Sequence, residues 1–586
     1  MIKYKLKSNP IETFSFSYLD DYLKSLGIEN PDSFIKAPRV EDEEPFTNLN
    51  NINEAVQSLY EGFKANKKFF LQVDSDVDGY TSSAIFYAFF KRLFPDANIT
   101  RLHDGKEHGI ILDTIPIDTD YVIIPDAGSM QIDEQEEMSR KGYKVIIIDH
   151  HNVEKLKSFS NIIIVNNQTS PRFKNKNLSG AGVVYKTIQA FNKTFSEEFE
   201  TIYHDYADLA ALGIISDMMD TRSLDNNYII FKGLSNIINP MFRALLEKQA
   251  YSIKDIDKPT KIDIAFYVAP LINAVIRFGT DEEKEYLFSG FVEYETTKVV
   301  ETVYRGADRK ENFYDYIARV SSNVRGRQNR EKEKAMKFLS KRIDEQGLDV
   351  NQLLVVTVSK DDDVIIPNTI TGLVAMELLK NYKKPTLVLR PKSDGSGGTI
   401  YAGSGRGKAS GDFDSLFGML RESNLCEYVE GHDMAHGVAI REENLPKVID
   451  FANEYLKEVE FDVAEFEVDY IFTNSNINYD MIMEFGKNIH IYGNGIPQPK
   501  FAFELNVAQS AIQFLGKKEE TLKILSGVEY IKFKSAELIE KLKNTESHMY
   551  SFRFVGRAQV NENNKFTPQI IIDEVDFEPI SLESLF

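Results

Sequence analysis

Three aspartates in the run Asp74-Ser75-Asp76-Val77-Asp78-Gly79, and the later triplet Asp149-His150-His151, have the types and spacing to do chemistry. Alternating aspartates with paired histidines are hard ligands for cations of the Mn²⁺ or Mg²⁺ kind, and the lack of thiolates excludes a zinc-thiolate site. Carboxylates that converge on one point repel each other and hold their protons unless a cation neutralises them. Two further aspartates stand in matching contexts: Asp126 ends the apolar run 121–125, and Asp217 ends the run 209–216. A lone aspartate after such a run is ordinarily a turn or capping residue. The ordered set points instead to one shared site.

The elements that must position these groups follow from the apolar runs. Phe69-Phe70-Leu71 and Val145-Ile146-Ile147-Ile148 read as buried strands whose C-terminal ends carry the acidic groups, where open α/β sheets place their ligands. The runs 121–125 and 209–216 read the same way. Over residues 61–225 such runs alternate with amphipathic helical segments, which predicts a parallel sheet with crossover helices. Residues 1–60 form a polar, acidic lead-in with Glu41-Asp42-Glu43-Glu44-Pro45 as an exposed turn, and residues 226–345 are mostly helical. Residues 346–457 form a second α/β unit, with strands at 353–358 and 386–389 around a helix at 372–381. From 458 to 586, strands alternating with turns predict a small β-barrel. The glycine-rich run 394–399 lacks the Gly-Lys-Ser/Thr ending of a phosphate-binding P-loop.

Composition bounds the function. The 586 residues suffice for three or more domains. No apolar stretch of about 18 residues is present and the N-terminus lacks a signal peptide's apolar core, so no membrane association is expected. One cysteine, Cys426, excludes an internal disulfide framework and fits a reducing cytoplasm. The net charge of −21 argues at first against a nucleic-acid partner, but steering depends on where charge lies. Between Arg319 and Arg342 stand nine Lys/Arg, among them Arg325, Arg327 and Arg330, against two Glu. On a helix these would hold a phosphate backbone without reading bases.

The order Asp-x-Asp-x-Asp-Gly, Asp126, Asp149-His150-His151, Asp217 resembles the DHH phosphoesterase superfamily and, more narrowly, the RecJ single-strand-specific DNA exonucleases. Leu178-Ser179-Gly180-Ala181-Gly182, Pro270-Leu271-Ile272-Asn273-Ala274 with Arg277, Gly403-Ser404-Gly405-Arg406, Gly431-His432-Asp433-Met434-Ala435-His436-Gly437 and Tyr492-Gly493-Asn494-Gly495-Ile496-Pro497-Gln498-Pro499 resemble further RecJ segments. The resemblance spans about residues 60–580. Departures are Gln72, where a histidine is usual, the run Ile366-Pro367-Asn368-Thr369 in place of a His-Pro-Gly turn, and Glu430 in place of a glycine.

The resemblance implies an α/β protein: a parallel-sheet DHH domain and an α/β DHHA1 domain joined by a long helix, then an OB-like barrel that binds single strands through aromatics. Phe501, Phe503, Phe514, Tyr530, Phe533, Phe552 and Phe554 are the candidates, although alternate ones must fill the barrel. It implies two divalent cations, Mn²⁺ preferred or Mg²⁺, one on Asp76 and Asp126 with Asp74, the other on Asp78, Asp126, His150 and Asp217. His151 would meet the phosphate or leaving oxygen, and Asp149 would orient a histidine. Lys106, His108, Arg277, Ser404, Arg406 and His432 would hold phosphates, with the basic helix along the backbone. The implied activity is 5′→3′ exonucleolytic release of mononucleotides from single-stranded DNA in repair, recombination or replication. A single-stranded-DNA-binding protein or a helicase is the expected protein partner, and a monomer suffices. The rivals are a phosphodiesterase for short oligonucleotides or cyclic dinucleotides and a non-catalytic DNA-binding scaffold.

Overall fold

The computed structural model describes residues 2–8, 10–11, 17–102, 109–304, 307–359, 362–393, 398–408, 413–461, 465–561 and 567–580. Two compact units divide the chain: residues 1–322 with 466–586, and residues 323–465.

The first unit holds a five-stranded parallel sheet in the order Asn98–Leu102, Lys68–Gln72, Tyr121–Pro125, Lys144–Asp149, Ile162–Asn166. Its central strands are buried on both faces, which is why they read as unbroken apolar runs. Helices Val77–Leu93, Gly180–Thr194 and Ala207–Ser216 pack on one another beside it. The run 209–216 is therefore not a strand. Helix Ala207–Ser216 is apolar on every side because every side is covered, and such a helix carries no periodicity to separate it from a buried strand.

The N-terminal residues are more than a lead-in. Helix Tyr18–Ser25 sends Leu19, Tyr22 and Leu23 into the same core as Phe485, Phe501 and Phe554. The segment 41–45 is exposed only at its ends, Glu41 and Pro45. Glu43 reaches the fully buried Lys186 ammonium at 3.2 Å, and the Glu44 carbonyl accepts from it at 2.8 Å. Asp225, 2.8 Å away, completes the set.

The C-terminal segment forms a seven-stranded sheet in the order Tyr470–Thr473, Phe501–Ala508, Met549–Asn561, Thr567–Ile580, Val528–Lys532, Thr521–Ser526, Ile512–Leu515. A register shift at Val555/Gly556 bends its longest pair. Phe501, Phe503, Tyr530, Phe552 and Phe554 all fill the core, leaving Phe533 exposed and Phe514 partly so. The acidic strand Thr567–Ile580 is paired along its length with Met549–Asn561.

The second unit has a mixed five-stranded sheet in the order Cys426–His432, Ala435–Arg441, Thr399–Arg406, Thr386–Ser393, Leu354–Thr357, with helix Asn368–Tyr382 against it. Helix Phe313–Gln346 carries the boundary between the units. Among the described residues no helix is long and apolar enough to cross a membrane.

Candidate metal centre

The strand Lys68–Gln72 runs into helix Val77–Leu93 through a loop that presents three carboxylates. Asp76 caps the helix, its Oδ1 accepting from Gly79 N at 2.9 Å. Asp74 is buried and accepts from Gly109 N at 2.8 Å. Gln72, one of the departures, donates to the Gly109 carbonyl and accepts from Ile111 N, so it holds the loop beside Asp74.

Asp78 is held by three donors. Ser179 Oγ donates to it at 2.9 Å, Gly180 N at 2.6 Å and Ala181 N at 3.1 Å. Those donors are the first turn of helix Gly180–Thr194, whose unpaired amides and dipole favour an anion. Three glycines make room for the cluster. A Cβ on Gly79 would lie 2.6 Å from Asp74 Cβ, one on Gly180 2.3 Å from Asp126 Oδ1, and one on Gly213 2.3 Å from Asp78 Oδ1.

Asp126 and Asp217 close the site from other elements. Asp126 follows its strand with φ 66°, a left-handed conformation unusual outside glycine and associated with functional sites. Asp217 caps the end of helix Ala207–Ser216, and Met218 behind it is also left-handed at φ 55°. Bonds from Met218 N to Ile215 O and from Met219 N to Ile214 O make this a Schellman ending with methionine where glycine is usual.

His150 Nε2 lies 3.2 Å from Asp126 Oδ1, 3.5 Å from Asp217 Oδ2 and 3.9 Å from Asp78 Oδ2. Burial lowers its pKa, leaving a neutral imidazole that can act as a ligand. Asp74, Asp76 and Asp126 bring one oxygen each within 4.8 Å of the others, and Asp78, His150 and Asp217 do the same with an oxygen, a nitrogen and an oxygen. Burial first, then the charges of Asp78, Asp76, Asp74 and Asp217, push Asp126 well above the carboxylate range. Burial, Asp78 and Asp76 raise Asp217 to about 8. Asp126 Oδ1 is buried with no hydrogen-bond partner among the described residues. Repelled carboxylates, a neutral imidazole and an orphaned oxygen are the donor set a hard divalent cation fits.

Asp149 is not turned to the His150 ring. Burial opposes its charge, but His151 Nδ1 donating at 2.8 Å, the two imidazoles and the backbone outweigh burial and hold it well below the usual range. Its Oδ1 also takes His150 N at 2.7 Å, and its Oδ2 takes Ser129 N at 3.0 Å. The same bond raises His151 to about 9, so its half-exposed ring is cationic at neutral pH.

The remaining candidates are spread more widely. Arg277 is exposed in the last turn of helix Ala269–Phe278. Ser404 and Arg406 lie on strand Thr399–Arg406 of the second unit beside the first turn of helix Asn368–Tyr382. The Ser404 and Thr371 hydroxyls are 2.9 Å apart, and a Cβ on Gly372 would meet Arg406 Nη2 at 2.4 Å. Arg325 and Arg327 are half-buried and Arg330 exposed on helix Phe313–Gln346. Along the same helix Arg319 forks onto Glu311, Arg342 onto Asp362, and Lys332 reaches Glu377. Lys106, His108 and the His432 side chain lie outside the described residues.

Residues 68–214 match the DHH family, N-terminal domain. The chain is 36% identical over 574 residues, 96% of each chain, to the SPbeta prophage-derived protein YorK of Bacillus subtilis strain 168, which carries the name of a single-strand DNA-specific exonuclease. This chain belongs to the RecJ-like DHH family. Its members include the single-stranded-DNA-specific exonuclease RecJ of the same organism, 22% identical over 565 residues, covering 91% of this chain and 64% of RecJ. In fold it is similar to RecJ from Thermus thermophilus in complex with Mn²⁺, at a TM-score of 0.70 and 20% identity over 99% of this chain and 80% of that one. Family membership makes this DHH protein an exonuclease.

Sequence reasoning missed two parts of the site. The carboxylate-holding role of Ser179, Gly180 and Ala181 was signalled by a serine cap before a Gly-Ala-Gly helix start. The second is a clamp: the Asn494 side chain donates to the Met218 carbonyl, and the Asn494 carbonyl accepts from Thr221 N at 2.9 Å and Thr221 Oγ1 at 2.8 Å. Its local signal is absent, because the partners are far apart in the chain.

Proposed function

We propose that this exonuclease degrades single-stranded DNA from the 5′ end to mononucleotides, using two divalent cations with Mn²⁺ preferred. The observation that carries the reading is the pair of adjoining donor groups, Asp74/Asp76/Asp126 and Asp78/His150/Asp217, joined by the approach of Asp126 Oδ1 to His150 Nε2. Asp126 would be shared by both cations, and the Asp and His mixture suits Mn²⁺. When bound, such a pair supplies an activated water and neutralises charge on the phosphoryl oxygens.

The chain's own residues do the rest. Asp78, held by three donors, fixes one carboxylate with no freedom to follow the substrate. Asp149 turns His151 so that its Nε2 faces outward as a cationic donor for a phosphate or leaving oxygen. Ser404 and Arg406, beside a helix start, suit the strand's terminal phosphate. Arg277, Arg325, Arg327 and Arg330 would follow the backbone, as would Lys106, His108 and His432. The sheet-rich residues 458–586 would serve as the strand-holding domain. Action in the cytoplasm as a monomer, in repair, recombination or replication beside a single-strand-binding protein or helicase, completes the proposal.

The test is a time course on 5′- and 3′-labelled single strands, duplexes and dinucleotides with Mn²⁺, Mg²⁺ or EDTA, with Asp126→Ala in parallel. Metal-dependent release of the 5′ label as mononucleotide from long single strands, lost in the variant, supports the reading. Cleavage of dinucleotides alone, or tight binding without cleavage, refutes it.

A further inference from the structure

The loop after Asp217 borders a cavity of about 500 Å³, a size that encloses small ligands. One wall is Met218, whose left-handed backbone turns its side chain outward to 57% exposure. Phe266, 68% exposed, lines it as well. It sits in the π-helical turn Ile264–Val268, a distortion often found at functional sites. The third wall comes from the C-terminal sheet and its entry segment and brings Gln498, Lys500 and Arg557, the last oriented by a two-point bond to Asp573 at 2.6 and 3.0 Å. Lys261 also lines the cavity, buried and without an ion pair among the described residues. The Asn494 clamp ties the third wall to the loop of Asp217, so the cavity is fixed relative to the metal cluster.

Packing does not account for this combination. A large aromatic and a methionine stand exposed in a cavity that two cationic side chains, Lys500 and Arg557, also line, in a protein whose net charge is −21. Flat apolar surface beside cations is the arrangement that binds one unit of a single strand, the base on the aromatic and the phosphate on the cations.

We propose that this cavity is a nucleotide subsite of the substrate strand: a base rests on Phe266 and Met218, and a neighbouring phosphate is held by Lys500 and Arg557. The assignment rests on the proposed single-strand activity and adds to it where the strand beyond the scissile bond is gripped.

The chain contains no tryptophan, so Phe266→Trp installs a lone fluorophore in the cavity. A twelve-residue oligothymidylate added with EDTA, which prevents cleavage, should quench it. The same strand should leave a lone tryptophan at the fully exposed Tyr251 unchanged. Adding Lys500→Glu to the Phe266→Trp protein should raise the half-quenching concentration roughly tenfold. In kinetics, Phe266→Ala should lower the ratio of kcat/KM for the twelve-mer over that for a dinucleotide by about tenfold, the loss expected for one aromatic–base stack. If wild type cleaves the twelve-mer but the quench is absent and the ratio unchanged, the subsite is overturned and the activity stands. If wild type does not cleave single strands, both fall.

Discussion

Gly180→Ala adds a single methyl at the point where two carboxylates meet, and the structure fixes how much it should cost. The new Cβ would stand 2.3 Å from Asp126 Oδ1 and 2.6 Å from its Cβ and Cγ, whereas ordinary contact begins at 3.4 Å. The Asp126 carboxylate must therefore recede by about 1 Å. It has nowhere to go without cost: the residue is 2% exposed, its φ is 66°, and its N–H is bonded to the Ile148 carbonyl at 2.8 Å. A 1 Å displacement at a reacting centre costs roughly 100-fold in rate, or about 2.7 kcal/mol. The backbone itself accepts alanine, because the position is the first of a helix and has no left-handed φ. The assay is kcat/KM on a labelled single strand at saturating Mn²⁺, with the melting temperature measured beside it. Gly326→Ala is the matched control, since its Cβ would meet only Arg330 Nη1 at 3.6 Å. A Gly180→Ala enzyme within about threefold of wild type would refute the claim that Asp126 must sit where it does.

Three further outcomes are expected. Asp126→Asn should lose at least roughly 100-fold in activity yet melt higher than wild type in EDTA at neutral pH, because burial and then the charges of Asp78, Asp76, Asp74 and Asp217 penalise an ionisable carboxyl there and spare an amide; an unchanged melt would contradict this. Lys186→Met leaves Glu43 and Asp225 buried without their cation, and a denaturant titration should show about 3–5 kcal/mol of destabilisation. Burial lowers Lys261 to about 7 from 10.5, so between those pH values the unfolded chain binds the proton and the folded chain does not. Stability should rise with pH across that window by up to about 1.4 kcal/mol per unit, and Lys261→Met should remove the slope.

What was legible in the sequence was what is local. Asp74, Asp76 and Asp78 follow a buried strand and start a helix, so spacing alone places them on one loop, and the strands before Asp126 and Asp149 announced themselves as apolar runs. The element before Asp217 was misread because a helix buried all round and a buried strand share one composition. The inward turn of Glu43 and Glu44 was invisible, since only the distant Lys186 gives them a reason to leave water. The same holds for helix Tyr18–Ser25, whose partner Phe485 lies far along the chain, the Tyr22 and Phe485 rings meeting edge-on at 5.7 Å. Aromatics in the C-terminal strands could be counted, but only the sheet shows that most of them face the core.

In the proposed mechanism Asp126 joins two cation sites into one catalytic centre. Titration of metal-free protein with Mn²⁺, followed by calorimetry with the bound metal counted directly, tests it most plainly. Two ions are expected per wild-type chain and no more than one at the same free Mn²⁺ in Asp126→Asn. Two ions in both proteins, or none in wild type, would contradict it.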